Sequence, residues 1–173
     1  MLKITNQELG RMSPAEFSAA SKLPIVAVLD NVRSANNVGS FFRTADAFGI
    51  SELVLCGISA TPPSKDIHKT ALGAEQTVGW RYFENTGRAI ETLKQEGYTI
   101  IAIEQVRGAV SLDKFVRGED KKYALVFGNE VEGVAQEIVD MCDSAIEIPQ
   151  RGTKHSLNVS VSGGIILWHF TFL

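Results

Sequence analysis

The chain has 173 residues, 17 basic and 20 acidic, for a formal net charge of -3 at pH 7, and 45% of its residues are hydrophobic. These figures describe one globular domain with enough apolar residues for a sizeable core, and they exclude a disordered tail, a collagen-like repeat and a small disulfide scaffold. The mild acidity also excludes an indiscriminate nucleic-acid binder, whose surface would be strongly basic, while leaving room for a local basic patch.

Met1 to Ser21 mixes charged and polar residues and has no apolar core of a secretory leader. No run of the chain approaches the roughly 20 apolar residues that cross a bilayer. The expectation is a cytoplasmic protein with no membrane partner. Ser13-Pro14-Ala15-Glu16 reads as an N-cap, a proline at the first helical position and a capping-box acid. It predicts a helix to about Lys22, and hence a short helical extension over residues 1–22 ahead of a single domain over 23–173.

Within the domain, the apolar run Ile25 to Leu29 is followed by the polar loop Asp30 to Asn36. From Asn37 to Phe48, the residues Val38, Phe41, Phe42, Ala45 and Phe48 recur at helical spacing, and Gly49 closes the segment. Leu53 to Cys56 is a second apolar run. Thr61-Pro62-Pro63 then breaks the chain before a helix over Ser64 to Gly73 and a short strand over Trp80 to Phe83. A helix from Thr86 to Glu96, closed by Gly97, leads to a strand from Tyr98 to Glu104. A loop, a strand from Tyr123 to Phe127, a loop and helix from Gly128 to Met141 and a strand from Ala145 to Ile148 follow. The last element, Leu157 to Phe170, is apolar on nearly every side. Continuously apolar strands alternating with helices predict an α/β fold whose parallel sheet is covered on both faces.

Several common chemistries are missing from this pattern. There is no G-x-G-x-x-G, and Gly128-x-x-x-x-Gly133 is followed by Val134-Ala135 where a phosphate-binding loop needs Lys and Ser or Thr. G-x-S-x-G and H-E-x-x-H are missing too. His68, His155 and His169 are scattered, so no metal site is expected. Cys56 and Cys142 form no C-x-x-C pair and read as small hydrophobes.

What remains is three polar clusters, each following a strand. In the first, Asp30 to Arg43, Asn37 can cap the helix and Gly39 permits close backbone approach, while Arg43 places a guanidinium further along it. A ligand oxygen or phosphate could meet both, although capping plus a surface salt bridge explains the same spacing. The second, Phe127-Gly128-Asn129-Glu130-Val131-Glu132-Gly133, puts two glycines and two acids just past a strand, where open α/β sheets bind ligands. Glycine-bounded loops also serve as plain turns, and a solvated charge is the alternative reading of Glu132. The third, Ile148 to Asn158, carries Arg151 and Lys154 and leads into the apolar final helix, with capping and ligand binding equally good accounts. Ser162-Gly163-Gly164 inside that helix is costly, at roughly 1 kcal/mol per interior glycine, and close packing against another segment or subunit would explain it.

Taken in order, the clusters resemble the three motifs of the SpoU/TrmH family of RNA ribose 2′-O-methyltransferases, within the SPOUT superfamily. Asn37-Val-Gly-Ser-Phe-Phe-Arg43 is similar to motif one, Phe127-Gly-Asn-Glu130-x-x-Gly133 to motif two, and Ile148-Pro149 through Ser156-Leu157-Asn158-Val159-Ser160 to motif three. The likeness runs from about Leu23 to the C-terminus. It implies a parallel-sheet SPOUT fold with a C-terminal deep trefoil knot, which no periodicity argument would suggest. It also implies S-adenosylmethionine held in the knot by Glu104, Gly128, Ile148 and Leu157, with no metal. By the same likeness Arg43 is the catalytic arginine, Asn37 supports it, Glu130 organises the site, and Ser156 and Asn158 complete it. Arg33, Arg43, Arg151 and Lys154 are the expected RNA contacts.

The implied reaction is in-line transfer of a sulfonium methyl group to a ribose 2′-hydroxyl, with RNA as partner and a homodimer as the working unit. The family proposal makes the arginine the base. A free guanidinium stays protonated far above neutral pH, and deprotonating it at pH 7 costs roughly 9 kcal/mol, which favours a charged arginine that anchors phosphate and stabilises developing alkoxide. A compact chain without a separate RNA-binding domain leans the expected substrate toward tRNA over rRNA. The alternative from another class is a non-catalytic RNA-binding module that keeps the fold, but Asn37, Arg43 and Asn158 are all present. Charge is unevenly spread: residues 119–147 hold 2 basic and 8 acidic residues, and from Ile148 onward there are Arg151 and Lys154 but no acid.

Overall fold

The computed structural model describes residues 1–5 and 7–173. Among the described residues the apolar runs form seven strands: β1 (Leu23–Asp30), β2 (Ile50–Cys56), β3 (Gly79–Phe83), β4 (Tyr98–Ile103), β5 (Val110–Ser111), β6 (Lys122–Phe127) and β7 (Ser144–Glu147). They make one sheet in the order β3-β2-β1-β6-β4-β7-β5, with all pairings parallel. The two-residue β5 falls in a stretch expected to be loop, since it is too short to show any periodicity. The helices are α1 (Pro14–Ala19), α2 (Ala35–Phe48), α3 (Lys65–Ala71), α4 (Thr86–Gln95), α5 (Gln136–Met141) and α6 (Val159–Phe172).

Alternate residues of the central strands feed two cores. Ile25, Ala27, Leu29, Leu53, Leu55, Ile101 and Leu125 meet Val38, Phe41, Phe42 and Ala45 of α2 and Ile166, Leu167 and Phe170 of α6. Val26, Val28, Val54, Cys56, Ile100, Ala124 and Val126 meet Ala89, Ile90 and Leu93 of α4 and Ile138 of α5. Phe41 packs edge-on against Phe127 at a ring separation of 5.0 Å, which pins α2 to the carboxyl end of β6. Burial raises the Cys56 thiol to about 12 and the Cys142 thiol to about 11, so both stay protonated and act as packing groups.

Two expectations need correction, and a third holds at one of its two glycines. The capping box at Ser13 and Glu16 is present, but α1 ends at Ala19, where Ala20 turns to extended backbone. The cap of α2 is Ser34, whose side chain accepts from the Asn37 N–H, so Asn37 lies in the first turn with its amide available for other work. In α6, Gly163 is explained within the chain, because a Cβ there would run into the Phe41 ring, whereas one on Gly164 would meet nothing.

Candidate active site

The three polar clusters converge at the carboxyl ends of β1, β4, β6 and β7. The loop after β6 curls back on itself, with Asn129 and Gly133 exchanging backbone hydrogen bonds of 2.9 Å each way. Gly128 makes this curl possible, since a Cβ there would collide with the backbone of Gly133 and Val134. Gly133 sits at φ +71° and leaves room for Glu104, whose carboxylate accepts from the N–H of Val134 and of Gln105, both at 2.9 Å. Asn129 holds the curl to β1 by donating its amide to the Asn31 carbonyl at 2.9 Å.

Glu130 extends from this loop to the first cluster. Its carboxylate accepts from the N–H groups of Arg33 and Ser34, at 2.9 and 3.0 Å, and from the Asn37 amide at 2.9 Å. Burial pushes the Glu130 carboxyl up, but those three donors outweigh it and hold the group below its ordinary value. The third cluster joins through Asn158. Its Oδ1 caps α6 by accepting from the Ser160 N–H, and its Nδ2 donates to Asn37 Oδ1 at 3.3 Å. Asn158, Asn37 and Glu130 therefore form one relay across the three clusters.

The relay borders a cleft of about 550 Å³ whose walls include Glu104, Gly128, Glu130, Ile148, Ser156, Leu157 and Asn158. That volume is in the range that holds a small molecule, and Ile103 and Phe127 add apolar floor. Seven of the expected site residues thus meet at one place. Arg43 does not join them. It is exposed, lies about 9 Å further along α2 than Asn37 at 1.5 Å per residue, and has no ion-pair partner among the described residues. Arg33, Arg151 and Lys154 are also exposed outside the cleft wall. Among the described residues no group of three or more His, Cys, Asp and Glu could hold a metal ion.

Residue-level reasoning did not single out Asn129 or Gln105. Gln105 donates its amide to the His155 carbonyl at 2.7 Å and ties the loop after β4 to the third cluster. Asn129 lies inside the second cluster, where its turn-forming type is a usable signal. Gln105 has none, because its partner is 50 residues away.

A parallel α/β sheet with a polar cleft at its strand ends, closed by loops from four strands, defines an α/β domain with a small-ligand cleft. The sequence profile of the SpoU rRNA Methylase family matches residues 24–168, and the chain belongs to that family. It is 31% identical over 153 residues to the 23S rRNA (guanosine-2′-O-)-methyltransferase RlmB of Vibrio parahaemolyticus, covering 88% of this chain and 61% of that one. Among solved structures, it is similar to a TrmH/SpoU tRNA modifying enzyme of A. aeolicus (TM-score 0.80, 29% identity, covering 91% of this chain and 79% of that one). It is also similar to an AdoMet-bound rRNA methyltransferase of Sinorhizobium meliloti (TM-score 0.79, 28% identity, covering 92% and 60%). The chain spans about three fifths of the length of the first curated relatives it matches.

Proposed function

We propose that the protein transfers the methyl group of S-adenosylmethionine to a ribose 2′-hydroxyl of a structured RNA, either tRNA or rRNA, in the cytoplasm. The observation that carries this reading is the Asn158–Asn37–Glu130 relay, which joins all three clusters at the rim of one cleft. The relatives reported above act on tRNA or rRNA by their names, and one of them holds AdoMet.

The residues present fit the methyl donor. Gly128, with no room for a Cβ, keeps the curled loop tight against the cleft, and Ile148 and Leu157 offer apolar walls beside the polar loop backbone. When bound, S-adenosylmethionine supplies a methyl group activated by its sulfonium charge. Glu104 is best read as a positioning residue, since its carboxylate is engaged by Val134 and Gln105. Asn37 and Asn158 set the edge of the cleft toward the target ribose. Arg43, kept charged, anchors the neighbouring phosphate and stabilises the ribose oxygen as its proton leaves to solvent. Ser156, on the cleft wall, is placed to orient the ribose.

Sheet order supports the C-terminal trefoil knot. β7 pairs with both β4 and β5, so the connection between those strands must pass across the end of β7 before the chain goes on to α6. The Gln105 to His155 bond lies at that crossing. A homodimer is supported by one face of α6, where Val161, Ile165, Trp168 and Phe172 are exposed at helical spacing beside the open Gly164. A second copy on that face would also explain an arginine held away from the cleft of its own chain. Residues 1–22 stand as a short extension to the domain over 23–173, with α1 as its helix.

The test is mass-spectrometric mapping of ribose methylation in RNA from cells with and without the gene. One nucleotide is expected to lose its 2′-O-methyl group, and an unchanged map contradicts the proposal. Light scattering is expected to show a dimer, and a monomer at working concentration contradicts that part.

A further inference from the structure

Three buried polar side chains, Asp30, Ser59 and Thr86, gather around one turn at the carboxyl end of β1. The pivot of that turn is Asn31, at φ +54°, a left-handed conformation that a residue other than glycine adopts at a cost. Its amide donates to Asp30 Oδ1 at 2.9 Å, and its own Oδ1 accepts from the Ile58 N–H at 3.2 Å. The next N–H, that of Val32, donates to Ser59 Oγ at 2.9 Å. A strained residue held by this many bonds marks a place where the direction of the chain matters.

The cleft depends on that direction. The Asn31 carbonyl accepts the Asn129 amide and so holds the start of the curled loop after β6, and beyond the turn the N–H groups of Arg33 and Ser34 point at Glu130. Asp30 also reaches the far end of the curled loop, where its Oδ2 accepts from the Ala135 N–H at 3.5 Å. Its remaining donor is the Thr86 hydroxyl, 2.6 Å from Oδ1, which comes from α4, a helix that contributes nothing to the cleft wall.

Asp30 is only 2% exposed, and among the described residues no lysine, arginine or histidine pairs with it. Burying a carboxyl group costs free energy that an apolar residue would not, and here donors alone offset it. Two of the three donors tie the acid to the cleft. We propose that Asp30 is a positioning residue for the methyl donor, fixing both ends of the curled loop through Asn31 and Ala135. This rests on the reading of S-adenosylmethionine as the ligand of the cleft.

The test compares substitutions that reach the same carboxyl from its two sides, in the full chain and at a temperature where circular dichroism shows each variant folded. Asp30→Asn leaves an oxygen for Asn31 and Thr86 but turns an amide donor toward the Ala135 N–H. It is expected to weaken S-adenosylmethionine binding in calorimetry roughly tenfold and, in the ligand-free chain, to speed NMR-detected hydrogen exchange of the Asn129 and Gly133 amides roughly fivefold or more. Its KM for RNA, at saturating donor, is expected to stay within about twofold of wild type. Asn31→Gly keeps the left-handed turn and removes its tether to Asp30, and is expected to move affinity and exchange in the same direction by about fivefold. Thr86→Val removes the donor on the α4 side: the melting temperature is expected to fall, while donor affinity and loop exchange stay within about twofold.

Affinity and exchange that are unchanged in Asp30→Asn and Asn31→Gly would overturn the inference. So would a Thr86→Val variant that loses as much affinity as Asp30→Asn, since Asp30 would then act through overall stability alone. If Asp30→Asn does not fold, Asn31→Gly and Thr86→Val decide between these outcomes. A wild type that binds no S-adenosylmethionine contradicts the underlying reading instead, and the exchange comparison then still tests whether Asp30 fixes the loop.

Discussion

The loop after β6 and the loop after β7 both leave the sheet at the same end, yet they are built in opposite ways. In the first, Gly128 to Val134, backbone and side chains are spent on internal bonds: Asn129 on Gly133 and Asn31, Glu104 on Val134, and Glu130 on the first cluster. In the second, residues 149–158 are exposed throughout, and the loop has two cations and no acid. The difference suits two partners of different size. A small molecule is held by a cleft whose walls are fixed beforehand, because ordering them on binding would subtract from affinity. A large polyanion is met by exposed cations that need no fixed geometry, since phosphate contacts position without reading sequence.

The largest effect should come from breaking the fixed side. Gly128→Ala is expected to lower stability by roughly 3 kcal/mol in urea unfolding, because its Cβ meets backbone that cannot move aside, and to remove S-adenosylmethionine binding in calorimetry. Arg43→Ala is the counterpart on the exposed side: methyl transfer is expected to fall roughly a hundredfold or more, while stability stays within about 0.5 kcal/mol. Asn158→Ala touches both sides. Loss of the α6 cap should cost about 1 kcal/mol, and loss of its bond to Asn37 should slow transfer about tenfold.

Acid should separate the two loops further. The Glu130 carboxyl is depressed in the folded chain, so the stability it lends is present above the ordinary glutamate value of about 4.3 and is lost as pH falls through the folded value. The melting-temperature deficit of Glu130→Gln should therefore be constant from pH 5 to pH 8 and shrink in stronger acid. The smallest effects belong to Arg151→Ala and Lys154→Ala. Each is expected to weaken RNA binding evenly across sequences and to reduce the slope of log affinity against log salt by about 1, with no change in melting temperature.

The two loops were also unequally legible in the sequence. The strands leading to them were visible as apolar runs, because strands buried on both faces leave no polar positions, and the motif residues Gly128, Glu130 and Asn158 could be named in advance. Which bonds they make could not be read, since Glu130 meets Asn37 across 93 residues and Asn158 meets it across 121. Local rules also misplaced the cap of α2, because Ser34 and Asn37 are both good capping types and only the backbone decides between them. Gly163 and Gly164 looked alike as breaks in an apolar helix. One is filled by Phe41 and the other is open, a distinction that depends on which face α6 turns inward.

The division between a fixed cleft and an exposed cationic side is tested most directly by one paired measurement on wild type and Arg43→Ala. S-adenosylmethionine affinity is taken by calorimetry, and single-turnover methyl transfer is followed on total RNA. The expected result is a wild type that binds and transfers, and a variant that binds within about twofold but transfers roughly a hundredfold more slowly or worse. A wild type that does not bind S-adenosylmethionine, or a variant that transfers at the wild-type rate, would contradict it.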